Sequence, residues 1–168
     1  MKKISLKPTL KCQRRNKYMS KALFAGTFDP FTLGHKSIVE RTLSVADEIV
    51  IAIGVNPNKQ TMFNLEQRLQ YINQVFADNP RISVTYYEGL TTDFAKIIGA
   101  NFLVRGVRYV KDFEYERQIA DVNRQLSGIE TILLFTEEQY ANISSSIIRE
   151  LISYGKDASQ FVPLPLTH

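Results

Sequence analysis

Ten consecutive residues, Gly26-Thr27-Phe28-Asp29-Pro30-Phe31-Thr32-Leu33-Gly34-His35, hold most of what the handling of phosphate requires. Gly26 lets a ligand approach the main chain, and a helix opening near Gly34 offers unpaired N–H groups and the positive end of its dipole. Thr27 and His35 fall beside that helix start, where an imidazole can donate a hydrogen bond to a phosphoryl oxygen. The run is neither a P-loop nor a dinucleotide fingerprint, because the chain contains no G-x-x-x-x-G-K-[ST] and no G-x-G-x-x-G.

Other chemistry-bearing residues recur at further loops. Lys59 closes Asn56-Pro57-Asn58-Lys59. Arg105 and Arg108 belong to Val104-Arg105-Gly106-Val107-Arg108, which leads into Asp112-Phe113-Glu114-Tyr115-Glu116. Ile143-Ser144-Ser145-Ser146 precedes Ile147-Ile148-Arg149-Glu150. Arg105 ends a run that reads as a buried strand, and a guanidinium there needs an anion. Taken singly, Lys59 reads equally as a solvated lysine, Glu116 as an ion-pairing helix residue and the serines as a helix cap. Cap and phosphate site are compatible, since both use helix-start donors. Joining two polyanions needs little covalent chemistry; positioning and charge neutralisation supply the rate.

These residues need a scaffold. From residue 21 onward, short runs rich in branched side chains alternate with segments of helical period, the pattern of a parallel sheet covered by helices. Strands are expected at Ala22–Ala25, Glu48–Gly54, Ile82–Tyr87, Phe102–Arg105 and Thr131–Phe135, buried on both faces. Between them, Val39, Leu43 and Ala46, then Leu65, Leu69, Ile72 and Phe76, mark the core faces of two helices. Tyr115, Ile119, Val122 and Leu126 mark a third, beginning near Asp112 with a charged outer face. A last helix opens at Ser144–Ser146, packs through Ile147, Ile148, Leu151 and Ile152, and ends at Gly155. The expected fold is a single α/β domain, Rossmann-like, with a five-stranded parallel sheet and helices on both faces. Ligands of such sheets bind at the carboxyl ends of the strands.

The ten-residue motif G-T-F-D-P-x-T-x-G-H after a first strand resembles the signature of the HxGH nucleotidyltransferase superfamily. With threonine opening T-x-G-H it is similar to the phosphopantetheine adenylyltransferases in particular, and the three other segments appear in that family's order and spacing. The resemblance covers residues 21–162. It implies transfer of the adenylyl group of ATP to 4'-phosphopantetheine, giving dephospho-coenzyme A and pyrophosphate in coenzyme A synthesis. It further implies that His35 and Thr27 bind the α-phosphate and stabilise the transition state, and that Thr27, Lys59, Thr91 and Arg105 hold phosphopantetheine. Thr27, Phe28, His35, Gly106, Val107, Arg108, Glu116 and the stretch Tyr140, Ala141, Asn142, Ile143, Ser144, Ser145 and Ser146 would meet ATP. Mg²⁺ would accompany the triphosphate, held by phosphate oxygens and water, because the chain shows no ligand cluster at fixed metal spacing. The family resemblance also implies a homo-hexamer and feedback by coenzyme A.

Several positions depart from the family's form. Ala25 stands where proline is frequent, Gln60 where a second basic residue often follows the lysine, and the segment from Phe161 to His168 leaves no room for a last helix. The rivals are another HxGH-type enzyme, acting on nicotinamide mononucleotide or a small phosphoalcohol, and a non-catalytic nucleotide- or RNA-binding module. Lys59 and Arg105 together favour a phosphate-bearing acceptor over the first, and intact His35, Lys59 and Arg105 speak against the second.

Charge placement narrows the partners. The net charge of +4 suggests nucleic acid until its location is considered: residues 1–18 hold seven of the 21 basic groups and no acid, so the rest carries 14 basic against 17 acidic groups. Residues 1–18 read as a disordered or over-extended start, with the domain at 19–168; nucleic acid is not the expected partner. One cysteine, Cys12, excludes an intrachain disulfide, and the apolar runs fall well short of the roughly 20 residues that cross a bilayer. A cytoplasmic setting is expected.

Overall fold

The computed structural model describes residues 19–166; the basic extension, with Cys12, and residues 167–168 lie outside the described residues. Five strands form: β1 (Lys21–Gly26), β2 (Glu48–Val55), β3 (Ile82–Glu88), β4 (Phe102–Val107) and β5 (Glu130–Phe135). All pair in parallel, in the order β3-β2-β1-β4-β5. Helices α1 (Leu33–Thr42), α2 (Leu65–Val75), α3 (Thr91–Ile97), α4 (Val110–Ser127) and α5 (Ser145–Ser153) surround them. Among the described residues, no helix is long and apolar enough to cross a membrane.

The two-residue period of β1 divides the core. Ala22 and Phe24 face Ile38 and Val39 of α1 and Ile72 of α2, while Leu23 and Ala25 face Ala95 of α3 and Ile129. Burial on both sides explains why β1 and β2 read as continuous apolar runs rather than alternating ones. The edge strands β3 and β5 depart from the expected burial on both faces, with Tyr86 50% and Phe135 67% exposed, because each has a neighbour on one side only.

Helix starts follow side-chain caps. Thr32 opens α1 and Asn64 opens α2, each in a reciprocal capping box with the residue three positions on, His35 and Gln67. Ser144 caps α5, and Gly128, left-handed at φ +73°, ends α4. Helix α1 stops at Thr42, so Ala46 is buried beyond its end rather than on its face. The guanidinium of Arg81 takes up the carbonyls of Leu43, Ala46 and Asp47 there.

Further features differ from the expectation. Ile147, expected on the packing face of α5, is 45% exposed, and the residue that this helix buries is Ile148. Helix α3 carries no sequence signal, since Leu90 at its N-cap makes no side-chain bond and Ile97 is 81% exposed. The apolar stripe of α4 is not covered within the chain: Tyr115, Val122 and Leu126 are at least half exposed, and the residue that α4 buries is Glu116.

Candidate active site

The strand order sets β1 beside β4 at the centre, where the progression β1-β2-β3 reverses to β4-β5. At such a switch point the loops leaving neighbouring strands part and open a crevice. A cleft of about 360 Å³ lies there. Thr27, Phe28, His35, Lys59, Arg105, Gly106, Arg108, Glu116, Ile143, Ser144, Ser145 and Ser146 line it, which brings together twelve residues expected from sequence. Val107 is buried between its neighbours, and Tyr140, Ala141 and Asn142 stand outside the lining. Asn142 is reached by the Tyr109 hydroxyl, which donates to its Oδ1. Thr91 opens α3 and lines a separate cavity of about 160 Å³ that shares Arg105.

The motif turn is held tightly. A Cβ on Gly26 would meet the Phe28 ring at 2.8 Å, so the glycine makes room for that ring rather than for a ligand. Phe28 is itself left-handed at φ +50°, a strained conformation for a residue with a side chain.

His35 packs against Phe28, Phe31 and Phe24, with ring centroids 5.2, 5.3 and 6.2 Å away. Its Nδ1 accepts the Thr32 backbone N–H at 3.0 Å, which leaves the proton of the neutral ring on Nε2. Burial foremost, then the charges of Arg105 and Arg108, pushes the imidazole down from 6.5 to about 3. The ring is therefore a neutral donor at physiological pH. An NMR titration of the ligand-free protein should show no protonation of His35 between about pH 5 and 8, and a midpoint near 6.5 would contradict this environment. The unfolded chain binds a proton at this position below the ordinary histidine value and the folded one does not until about 3. Stability thus falls as the pH drops through that interval. A bound triphosphate opposes the two guanidinium charges and should raise the midpoint.

Arg105 makes a fork-to-fork pair with Glu116: Nε donates to Oε2 at 2.8 Å and Nη2 to Oε1 at 2.6 Å, while Nη1 donates to the Ala25 carbonyl at 2.6 Å. Burial alone lowers the Arg105 pKa, but the hydrogen bonds and charge of Glu116 more than reverse this and hold it raised. The anion that pairs with this partly exposed arginine is thus a helix carboxylate from α4. Arg108 pairs with Asp112 at 2.9 Å, and Lys59 Nζ donates to Thr27 Oγ1 at 3.0 Å. The three serines divide their work: Ser144 caps α5, Ser145 donates to the Pro30 carbonyl at 2.8 Å, and Ser146 accepts from Arg149 at 3.1 Å.

Arg149 is the cleft cation that motif reading passed over. It lines the cleft, donates to the Asp29 carbonyl at 2.6 Å and stands one helical turn after Ser146, a spacing that could have revealed it.

A family model described as cytidylyltransferase-like matches residues 23–151. Phosphopantetheine adenylyltransferase of Bacteroides thetaiotaomicron is 59% identical over 86% of this chain and 96% of its own length. That of Lachnoclostridium phytofermentans is 44% identical over 86% of this chain and 90% of its own. The chain belongs to the phosphopantetheine adenylyltransferase family. As a member it is an enzyme, a nucleotidyltransferase, and its motif turn, Lys59 loop and α5 start all fall within the matched stretch. The fold recurs in a bifunctional NMN adenylyltransferase/ADP ribose pyrophosphatase of Francisella tularensis, crystallised with AMP and a manganese ion. That likeness has a TM-score of 0.65 at 17% identity and covers 87% of this chain and 45% of that one.

Proposed function

We propose that this cleft transfers the adenylyl group of ATP to 4'-phosphopantetheine, giving dephospho-coenzyme A and pyrophosphate. The observation that carries the reading is the convergence of a neutral imidazole donor, His35, with Lys59, Arg105, Arg108 and Arg149 around Thr27 in one crevice. An oxygen of the phosphopantetheine phosphate forms a bond to the α-phosphorus of ATP as the bond from that phosphorus to the bridging oxygen of pyrophosphate breaks. No protein nucleophile is required, because the attacking oxygen is already anionic.

In this reading His35 and Thr27 serve the α-phosphate, and Lys59, Arg105 and again Thr27 the phosphate of the acceptor. Gly106, Arg108 and the serine-capped start of α5 serve ATP, helped by the N–H donors of that helix end. The cavity beyond Arg105, with Thr91 on its wall, extends from the acceptor's phosphate site and suits the pantetheine arm. Divalent metal use, with Mg²⁺ as the ion, belongs to the same reading. Of the three cleft carboxylates, Asp112 and Glu116 are engaged by arginines and Asp29 by the backbone N–H groups of Met62 and Phe63, and among the described residues no group of three or more His, Cys, Asp or Glu could hold an ion. The metal would therefore be carried by phosphate oxygens and water, where it offsets charge on the triphosphate.

Pyrophosphate release should depend jointly on ATP, a divalent metal and 4'-phosphopantetheine. Release that instead follows nicotinamide mononucleotide or glycerol 3-phosphate would move the enzyme to another pathway, and no release with any acceptor would favour a binding module.

Assembly into a homo-hexamer is part of the proposal, supported by the uncovered face of α4. Exchanging Ile119 and Val122 for glutamate should lower the particle mass measured by light scattering, because exposed apolar faces of this kind mark contact surfaces. An unchanged mass would remove that support. Coenzyme A, sharing the pantetheine arm, would compete for the acceptor site as feedback in a cytoplasmic enzyme whose domain spans 19–168.

A further inference from the structure

Lys59 lies on an exposed loop, whereas Thr27 and His35 lie on the motif turn, and the two must stand at a set separation to share one pair of phosphates. Two buried charged residues join them. Asp29 is 3% exposed, and its Oδ2 and Oδ1 accept the backbone N–H groups of Met62 and Phe63, each at 2.9 Å. Arg68 is 7% exposed; its Nη1 donates to the Thr27 carbonyl at 2.8 Å and its Nε to the Phe63 carbonyl at 3.0 Å. The bonds close a ring that runs from Thr27 through Asp29 to the end of the Lys59 loop and back through Arg68. Thr27 is consequently gripped twice, at its carbonyl by Arg68 and at its hydroxyl by Lys59. Asp29 also touches α5, with Arg149 Nη1 3.8 Å from Oδ2.

Buried charges are a poor way to gain stability alone, since well-packed apolar side chains commonly do as well. A carboxylate shared between adjacent N–H groups, and a guanidinium forked between two carbonyls, fix distance and orientation in a way that apolar packing does not. We propose that Asp29 and Arg68 are positioning residues for adenylyl transfer, holding the Lys59 loop in register with the Thr27–His35 turn. This rests on the assignment of Lys59 and Thr27 to the acceptor's phosphate.

The test is a set of variants, Asp29→Asn, Arg68→Lys, Arg68→Met and Lys59→Met, with the doubles that join each Arg68 change to Lys59→Met. Melting curves give the folded fraction, and kcat is expressed per folded site. Asp29→Asn and Arg68→Met should lose at least about tenfold in kcat, because displacements of about 1 Å cost up to about 10²-fold. They should also raise the KM for phosphopantetheine while the KM for ATP stays within about twofold, and Arg68→Lys should recover part of the loss. In the Lys59→Met background either Arg68 change should add little to the phosphopantetheine KM, the non-additivity of coupled sites.

Additive effects, or a lowered melting temperature with unchanged kcat per folded site, would overturn the proposal. If Asp29→Asn and Arg68→Met do not fold, Arg68→Lys and its double with Lys59→Met decide the matter, and wild-type values for Arg68→Lys then count against it. Wild-type turnover in the same assay tests the underlying reading separately. Its absence sinks the function, whereas its presence with an additive cycle sinks only the positioning role.

Discussion

Replacing His35 with alanine should lower kcat about 10²–10³-fold, the usual cost of removing one donor aimed at developing charge, and leave the KM for ATP little changed. The ring is neutral, its Nδ1 is committed to the Thr32 N–H, and Nε2–H is the donor left for a phosphoryl oxygen. Such a bond strengthens as charge gathers on the α-phosphate, so its loss appears in turnover rather than in ground-state binding. The same imidazole completes the cap of α1, and the alanine variant should therefore also lose about 1 kcal/mol of stability. His35→Gln separates the two effects. Glutamine at this third helical position can keep the Thr32 N–H satisfied, as capping boxes ordinarily do, so stability should return while turnover stays low. Steady-state pyrophosphate release and a thermal melt measure both, and near-normal turnover in the alanine variant would remove His35 from the mechanism.

Arg105→Ala should act in two ways at once. The Glu116 side chain is only 10% exposed and would lose its partner, at a cost of about 3 kcal/mol, the lower end for buried pairs because Arg105 is itself 35% exposed. For a chain of this size that is a fall of roughly 6–12 °C in Tm. The KM for phosphopantetheine should rise at least about tenfold through loss of a charge-assisted bond to its phosphate. Adding Glu116→Gln removes the stranded charge. The double variant should regain most of the melting temperature and none of the acceptor affinity. A Tm that falls with an unchanged acceptor KM would mean that Arg105 serves only the ion pair.

The legible parts of this fold are those with local causes. The central strand β2 announced itself because Ile49–Ile53 has no polar face to alternate with, and α2 because Leu65, Leu69, Ile72 and Phe76 keep a helical period; Ile132–Phe135 reads the same way as β2, yet β5 is an edge strand with Phe135 67% exposed. Helix α3 was missed because seven residues with no side-chain cap leave no such signature. The stripe on α4 does form one face of a helix, but periodicity says only that one side is apolar. It does not say what lies against that side, and within the chain nothing covers most of it.

The site divides in the same way. Its residue types and order, from Gly26 to His35, through Lys59 and Arg105, to the serines of α5, are properties of sequence, since turn chemistry and helix starts depend on neighbours a few positions apart. That Arg105 meets Glu116, that Asp29 binds Met62 and Phe63, and that Arg149 reaches back 120 residues to the Asp29 carbonyl were decided only by the tertiary structure. The first follows from α4 packing back on β4, the second from β1 and β2 lying side by side so that their following loops meet, and the third from the return of α5 to the motif turn. A buried charge takes whichever partner this arrangement brings within about 3 Å, because leaving it unpaired in a low-dielectric interior costs more than almost any rearrangement around it.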